Sequence, residues 1–203
     1  MLRQIPPVVL GLIIANVAIY LLQTAVGDAA ILPYALWPLH SGGAGAPPFQ
    51  PYQVVTYAFL HGGFKHLFFN MFALFMFGPP LEQVWGSRRF AIYYLVSVLT
   101  AAATELMVEN ATQSGEPVIG ASGGIFGLLL AFAWFFPRQK LLLIFFPVPM
   151  PAWLFVTLYG IAELFMGVTG AEAGVAHFAH LGGMLGGALS ILYWRMRGRF
   201  SGY

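Results

Sequence analysis

The chain has 203 residues, enough for one domain, and 59% of them are hydrophobic while only 8% are charged. A soluble domain carries about 25% charged residues, and the mean hydropathy here is +0.78, so the composition excludes a disordered chain and indicates an integral protein of the lipid bilayer. The absence of cysteine excludes disulfides, thiolate chemistry and cysteine metal sites, and a net charge of +2 without a basic patch argues against a nucleic-acid partner.

Six apolar stretches are long enough to cross a membrane, which takes about 20 residues of helix. They predict spans over about 8–26, 66–84, 90–108, 118–136, 151–168 and 175–194, in one domain over 1–203 with a long outer loop over 27–65. The first stretch is longer than a signal-peptide core and contains Asn16, which favours a retained helix. Apolar residues over 141–146 are too few for a span, and we interpret them as an interfacial lead-in. The long runs of Leu, Ala and Phe favour helices over barrel strands, so we predict an all-α bundle of six transmembrane helices.

Charges predict the orientation of the bundle. With six spans, every basic residue except Lys65 falls on one side, and every acidic residue except Glu82 falls on or toward the other. The basic set is Arg3, Arg88, Arg89, Arg138, Lys140, Arg195, Arg197 and Arg199, and the acidic set is Asp28, Glu105, Glu109, Glu116, Glu163 and Glu172. Because cytoplasmic loops are enriched in Lys and Arg, we predict that both termini are cytoplasmic.

Polar residues inside apolar spans are candidates for a functional site. Ser122 lies about 6 Å into its span at 1.5 Å per residue, and His180 lies at a similar depth in the last span. His66 opens the second span, and Asn70 follows one helical turn later on the same face. All four groups are therefore predicted to lie in one shallow layer near the outer surface, with His61 as a neighbour.

Small residues on two helices predict how this layer is assembled. Gly123 and Gly127 are four residues apart, as are Gly183 and Gly187, and such faces let helix backbones approach closely. Close packing would bring Ser122 beside His180, and a hydroxyl beside an imidazole is a nucleophile–base pair. The amides of the first helical turn, together with side-chain donors, could stabilise an oxyanion there.

At these residues the chain resembles the rhomboid family of intramembrane serine proteases. Gly120-Ala121-Ser122-Gly123 is similar to the family's GxSG motif, and Ala179-His180-Leu181-Gly182-Gly183 is similar to its AHxxG motif. The segment from His61 through His66 to Asn70 resembles the family's H-x4-H-x3-N pattern. Further similarity lies in Leu81-Glu82, Gly86 and Phe90, and the six-helix count resembles the minimal bacterial form.

The resemblance implies a function and a set of site residues. Ser122 would be the nucleophile and His180 the general base, as a dyad without an acid, and the only aspartate, Asp28, lies in the outer loop. His66, Asn70 and the Ser122 backbone N–H would form the oxyanion hole. Gly120, Phe126 and His61 would support the site, with Phe126 packed against the imidazole. His177 would be a neighbour rather than the base, because His180 alone precedes Leu-Gly-Gly.

The resemblance also implies partners and a location. Substrates would be single-pass transmembrane proteins, cleaved near the outer face of the membrane by a serine endopeptidase that needs no metal or organic cofactor. The location would be the inner membrane of a bacterial cell. The sequence does not predict the physiological substrate, the entry gate for it or the oligomeric state.

One position departs from the family pattern. The family often has Trp-Arg shortly before the second-helix motif, where this chain has Tyr52-Gln53. The guanidinium that braces the outer loop is therefore missing, which leaves the anchoring of that loop open.

Three alternatives use the same residues. His66 and His180 could be axial ligands of a haem, but that function leaves Ser122 and Asn70 unexplained. His61, His66, His177 and His180 could bind zinc, although the chain has no HExxH motif. A transporter or a chaperone-like relative is the third alternative, although neither repeats nor broken helices are evident in the sequence.

Overall fold

The computed structural model describes residues 5–43, 45–113, 115–142, 148–171 and 175–198. Both chain ends, Arg3, Glu172, Arg199 and most of the lead-in predicted over 141–146 lie outside these residues. The helices are α1 (Pro7–Val26), α2 (Asp28–Ile31), α3 (Gln53–Thr56), α4 (Phe64–Trp85), α5 (Ser87–Thr112), α6 (Ser122–Phe135), α7 (Ala152–Thr169) and α8 (His177–Met196). Two-residue strands, β1 (Lys140–Leu141) and β2 (Met150–Pro151), pair antiparallel in the turn between α6 and α7.

The fold is all-α, as predicted, and a helix lies at each of the six apolar stretches. Within the described residues, α1, α5 and α7 are long and apolar enough to cross a membrane, and α6 is a shorter apolar helix. Large apolar side chains face outward, among them Phe64, Phe165 and Val168, each at least 65% exposed. Such a surface suits lipid rather than water. The count of six spans and the side on which the termini lie remain predictions.

The fourth predicted span begins later than hydropathy suggests. Residues 118–121 form a non-helical approach in which Val118 pairs with Leu36, and α6 begins only at Ser122. Gly120 has φ +130°, which an L side chain rarely adopts, so the chain can turn here into the helix. The loop before α6 thereby delivers Ser122 at the first position of the helix.

The core consists of α6 packed between α4, α5 and α8. A Cβ atom at Gly183 would overlap the carbonyl oxygen of Gly123, and one at Gly127 would lie 3.0 Å from the Gly183 carbonyl. The Tyr93 hydroxyl donates to the Gly127 carbonyl at 2.7 Å and so ties α5 to α6. The predicted contact between the glycine faces of α6 and α8 is confirmed.

Glu82 joins the end of α4 to the beginning of α1. Its carboxylate accepts hydrogen bonds from the backbone N–H groups of Val8 at 3.0 Å and Val9 at 2.8 Å. These amides belong to the first turn of α1, where no intrahelical acceptor is available. The Ser87 hydroxyl, at the start of α5, donates to the same carboxylate at 2.7 Å. One buried side chain therefore binds the adjacent ends of three helices.

Gln53 braces the outer loop. Its side chain is fully buried. Its Oε1 accepts a hydrogen bond from the backbone N–H of Trp37 at 3.2 Å. Its Nε2 donates to the backbone carbonyls of Pro33 at 2.9 Å and Pro48 at 3.2 Å. The side-chain amide of Gln53 therefore ties together three separated points of the outer loop. It anchors this loop in the absence of the arginine that the family often has here.

Candidate active site

Ser122 and His180 lie within hydrogen-bond distance of each other. The Ser122 Oγ is 2.7 Å from the His180 Nε2. Ser122 is the first residue of α6, where backbone N–H groups lack intrahelical acceptors and the helix dipole favours negative charge. His180 lies in the first turn of α8 and is only 8% exposed. The packing of α6 on α8 through Gly123 and Gly183 sets the spacing of the two side chains.

Phe126 holds the imidazole from one face. Its ring stacks on the His180 ring, with centroids 4.1 Å apart and planes inclined by 7°. Phe126 follows Ser122 by one turn on α6, so the nucleophile and the stacking ring come from the same helix face. The stack limits rotation of the ring out of its plane.

Glu163 contacts the other nitrogen of the same imidazole. Its Oε2 lies 2.8 Å from the His180 Nδ1. A carboxylate only accepts hydrogen bonds, so the Nδ1 carries the proton and the Nε2 is left as an acceptor for the Ser122 hydroxyl. This contact departs from the expectation of a pair without an acid, which considered only the remote Asp28. A signal was present in the sequence, because Glu163 is the one charged residue of the apolar helix α7.

His177 shares the same carboxylate oxygen. Its Nδ1 is 2.7 Å from the Glu163 Oε2, and its Nε2 is 3.1 Å from the carbonyl oxygen of Ala171. Both of these partners are acceptors, so His177 satisfies both only when both ring nitrogens carry protons. In that form it would be an ion-pair partner for Glu163. One carboxylate oxygen of Glu163 therefore contacts both histidines of α8.

His66 and Gly120 lie on the other side of Ser122. The Gly62 N–H donates to the His66 Nδ1 at 3.3 Å, so the proton of His66 is on the Nε2. A Cβ atom at Gly120 would lie 2.8 Å from that Nε2 and 3.6 Å from the Ser122 Oγ. Because Gly120 has no side chain, a small space remains beside it. The Nε2–H group of His66 and the hydroxyl of Ser122 both border this space.

Asn70 follows His66 by one turn of α4 and is only 6% exposed. Its Nδ2 has no hydrogen-bond partner within the described part of the chain. A buried donor without an acceptor costs about 1–3 kcal/mol. An acceptor that arrives with a substrate would remove this cost.

His61 lies behind His66. The two rings are 5.0 Å apart, and His61 is 1% exposed. Burial, and to a lesser extent the neighbouring His66, lowers the pKa of His61 to about 4. Gln23 of α1 fixes this segment, because its side chain bonds the His61 carbonyl at 2.8 Å and the His61 N–H at 3.1 Å. His61 is therefore a neutral packing partner of His66.

The metal and haem alternatives find limited support in this geometry. Both ring nitrogens of His180 are engaged, by Ser122 and by Glu163, which leaves neither for an iron ligand. Glu163, His177 and His180 do place three possible ligand atoms within 4.8 Å of one another. Their mutual hydrogen bonds already account for those atoms.

An apolar cavity of about 910 Å³ lies deeper in the bundle, between α4, α6 and α7. Its lining residues include Phe72, Met76, Leu129 and Tyr159. The Tyr159 ring contacts Phe126 at 4.8 Å between centroids. The cavity therefore ends next to the ring that supports His180, although it does not include the reacting atoms.

The fold and the site define an integral helical membrane protein with a serine–histidine pair at the start of a helix. The chain belongs to the rhomboid family, since the family's Rhomboid domain model matches residues 48–197. It is 35% identical over 139 residues to Rhomboid protein 1, mitochondrial, of Saccharomyces cerevisiae, which covers 68% of this chain and 40% of that protein.

Two further relatives come from a plant and a bacterium. RHOMBOID-like protein 12, mitochondrial, of Arabidopsis thaliana is 28% identical over 209 residues, which covers 95% of this chain and 60% of that protein. Rhomboid protease GlpG of Serratia proteamaculans is 25% identical over 197 residues, which covers 95% of this chain and 64% of that protein. The chain thus spans less than two thirds of the length of each of these three relatives.

Proposed function

We propose that this protein is an intramembrane serine endopeptidase that cleaves the transmembrane segments of other proteins near the outer face of the membrane. The observation that carries the proposal is the distance of 2.7 Å between the Ser122 Oγ and the His180 Nε2 at the N-terminus of α6. It is supported by a relative named as a protease, Rhomboid protease GlpG.

The proposed reaction begins with attack of the Ser122 oxygen on the scissile carbonyl carbon while its proton passes to the His180 Nε2. The negative charge on the former carbonyl oxygen is stabilised by the Ser122 N–H, His66 and Asn70. The C–N bond then breaks, the leaving amine takes the proton from His180, and an acyl-enzyme remains. Water hydrolyses the acyl-enzyme by the same route, with His180 again taking the proton.

The proposed site lies near the outer surface, where water can enter. Six spans with both termini in the cytoplasm would place the start of α6 and of α8 on that side, and single-pass transmembrane proteins would reach it through the bilayer. The predicted location is the inner membrane of a bacterial cell, although the relatives include both mitochondrial and bacterial proteins.

The experiment is cleavage of a single-pass test substrate by the purified protein in vesicles. We expect cleavage by the wild type and none by Ser122→Ala or His180→Ala, because each change removes a reacting group. Ser190→Ala on α8 and His40→Ala in the outer loop are the matched controls, and both should cleave normally. Substantial cleavage by Ser122→Ala would contradict the proposal.

A second readout does not require a substrate. A fluorophosphonate probe should label the wild type covalently and fail to label Ser122→Ala, because the reaction needs an activated serine. Absence of labelling in the wild type, together with a haem absorption band or a bound metal, would favour one of the alternative functions.

A further inference from the structure

We propose that Glu163 is a positioning residue that completes a Ser122–His180–Glu163 triad. The proposal rests on the proposed function, and it adds an acidic member to a site that the resemblance describes as a dyad. The carboxylate would hold His180 in the tautomer that can accept the serine proton, and it would stabilise the imidazole when that proton arrives.

Three contacts fix the position of the His180 ring. Ser122 lies at the Nε2, Glu163 lies at the Nδ1 at 2.8 Å, and Phe126 covers one face of the ring. Phe126 prevents tilting but does not distinguish one edge of the ring from the other. Among the described residues, Glu163 alone accepts from the Nδ1, which makes the Nδ1 a donor and hence the Nε2 an acceptor. In serine hydrolases, the loss of such a tautomer-fixing acid lowers kcat by about 10⁴-fold.

The contact between Glu163 and His180 is buried, so each side chain depends on the other as a partner. The Glu163 side chain is 3% exposed and that of His180 is 10% exposed. In a buried site an unpaired carboxylate carries a large desolvation free energy, and removal of one partner of a buried pair is strongly destabilising. A protonated His177 would supply the compensating charge at the same oxygen, which its Nδ1 contacts at 2.7 Å. The carboxylate can therefore remain ionised next to a neutral His180.

The proton balance requires no proton on Glu163. When Ser122 attacks the substrate, its proton moves to the His180 Nε2 and the ring becomes positively charged. The His180 Nδ1 keeps its own proton throughout, directed at the Glu163 Oε2. Glu163 thus acts through His180 and touches neither the substrate nor the serine.

The test compares kcat and KM of the wild type with those of Glu163→Gln and Glu163→Asp. Glutamine keeps the shape but removes the charge and no longer enforces a proton on the His180 Nδ1, so we expect kcat to fall on the order of 10²–10⁴-fold while KM changes little. Aspartate restores the charge and should recover part of kcat. Partial recovery distinguishes a positioning role from simple loss of packing, because aspartate leaves a larger gap than glutamine does.

A matched control is available on α5. Glu105 is also a buried acid, 6% exposed, at the same end of the bundle. It hydrogen-bonds the backbone of Ala179, but among the described residues no hydrogen bond joins its side chain to His180. Glu105→Gln should keep the wild-type kcat. If Glu163→Gln cleaves as fast as the wild type, the triad is wrong.

A spectroscopic readout separates this proposal from the proposed function. The proton between the His180 Nδ1 and Glu163 should give a strongly downfield NMR resonance that is present in Ser122→Ala and absent in both Glu163→Gln and His180→Ala. A resonance from the His177 Nδ1, which contacts the same oxygen, would instead remain in His180→Ala. If the wild type cleaves nothing, the proposed function fails, while the resonance still tests the contact. If the resonance persists in Glu163→Gln, the contact is not the one proposed and the triad is overturned.

Discussion

At the scale of single residues, Asn70 is the group whose contribution can be separated from the nucleophile and the base. Its buried Nδ2 has no acceptor within the described residues, and the proposed oxyanion would provide one. Asn70→Ala should lower kcat on the order of 10–1000-fold, less than the loss of Ser122, because it removes one of several donors. Turnover assays against the control Asn110→Ala, an exposed asparagine of α5, test this, and unchanged turnover would make Asn70 a packing residue.

His61 predicts how stability depends on pH. Its pKa is lowered to about 4 in the folded protein by burial, whereas an exposed histidine titrates near 6.5. Between these values the unfolded chain binds more protons, so the free energy of unfolding should decrease as pH falls from about 6.5 to 4, by up to about 1.4 kcal/mol per pH unit. Above this window His61 contributes no slope.

The measurement is the apparent Tm in detergent across this pH range. His61→Phe removes the titrating group, so its Tm should fall less steeply on acidification than that of the wild type. His40→Phe, in the outer loop, is the control and should keep the wild-type slope. Equal slopes for wild type and His61→Phe would mean that His61 is not the group responsible.

Sequence reasoning could find the donors and the nucleophile of this site more readily than its acid. Ser122, His66, Asn70 and His180 are polar residues at one predicted depth, and the periodicity of helices is enough to align them. Glu163 approaches His180 through the packing of α7 on α8, which hydropathy does not specify. Its position within an apolar helix is the signal in the sequence, because a charged residue inside a membrane span marks a candidate functional site.

At the scale of elements, the contact between α6 and α8 depends on the absence of side chains. Gly183→Ala would place a Cβ on the carbonyl oxygen of Gly123, and a backbone atom cannot move aside as the end of a flexible side chain can. We expect the helices to separate and cleavage to fall about 100-fold, the effect of a displacement near 1 Å. Gly11→Ala on α1, with no atom within 4 Å of its Cβ, is the matched control. Cleavage assays and the apparent Tm of both variants test this.

The outer loop offers a second test at this scale. Gln53→Leu would leave the Trp37 N–H and the carbonyls of Pro33 and Pro48 without their partner, at a cost of about 1–3 kcal/mol for each buried group left unsatisfied. We expect faster proteolysis within the loop and a lower Tm. Gln50→Leu, at an exposed glutamine of the same loop, should change neither. Unchanged proteolysis of Gln53→Leu would show that the loop is held by other contacts.

The long apolar stretches of the sequence predict where the helices lie, but they do not predict the residues at which the helices begin and end. The stretch predicted over 90–108 is part of a longer helix, Ser87–Thr112, because Arg88, Arg89 and the polar residues beyond 108 are compatible with helix although they lower hydropathy. Conversely, α6 is shorter than the span predicted over 118–136, because residues 118–121 are held by a bridge to the outer loop. Hydropathy measures lipid compatibility, whereas hydrogen bonds decide where a helix begins.

At the scale of the whole molecule, the orientation can be tested directly because the chain has no cysteine. Thr112 lies at the end of α5, on the predicted outer side, and Gln139 lies beyond α6, on the predicted inner side. The variants Thr112→Cys and Gln139→Cys each place a single thiol at one of these positions. A membrane-impermeant maleimide should label Thr112→Cys in intact cells and Gln139→Cys only after the membrane is opened. The reverse pattern would invert the proposed topology. Equal labelling of both variants in intact cells would place both positions on the same side, which would mean that α6 does not cross the membrane.

The carboxylate of Glu82 has a consequence for the order of events during synthesis. It binds the amide of Val9, which precedes it by 73 residues. The first helix therefore leaves the ribosome and enters the bilayer before the side chain that caps it exists. Until Glu82 has been synthesised, the first amides of α1 must bond to water or lipid head groups, because the helix offers them no acceptor. The cap on α1 can therefore form only after a segment more than 70 residues later in the chain has been translated.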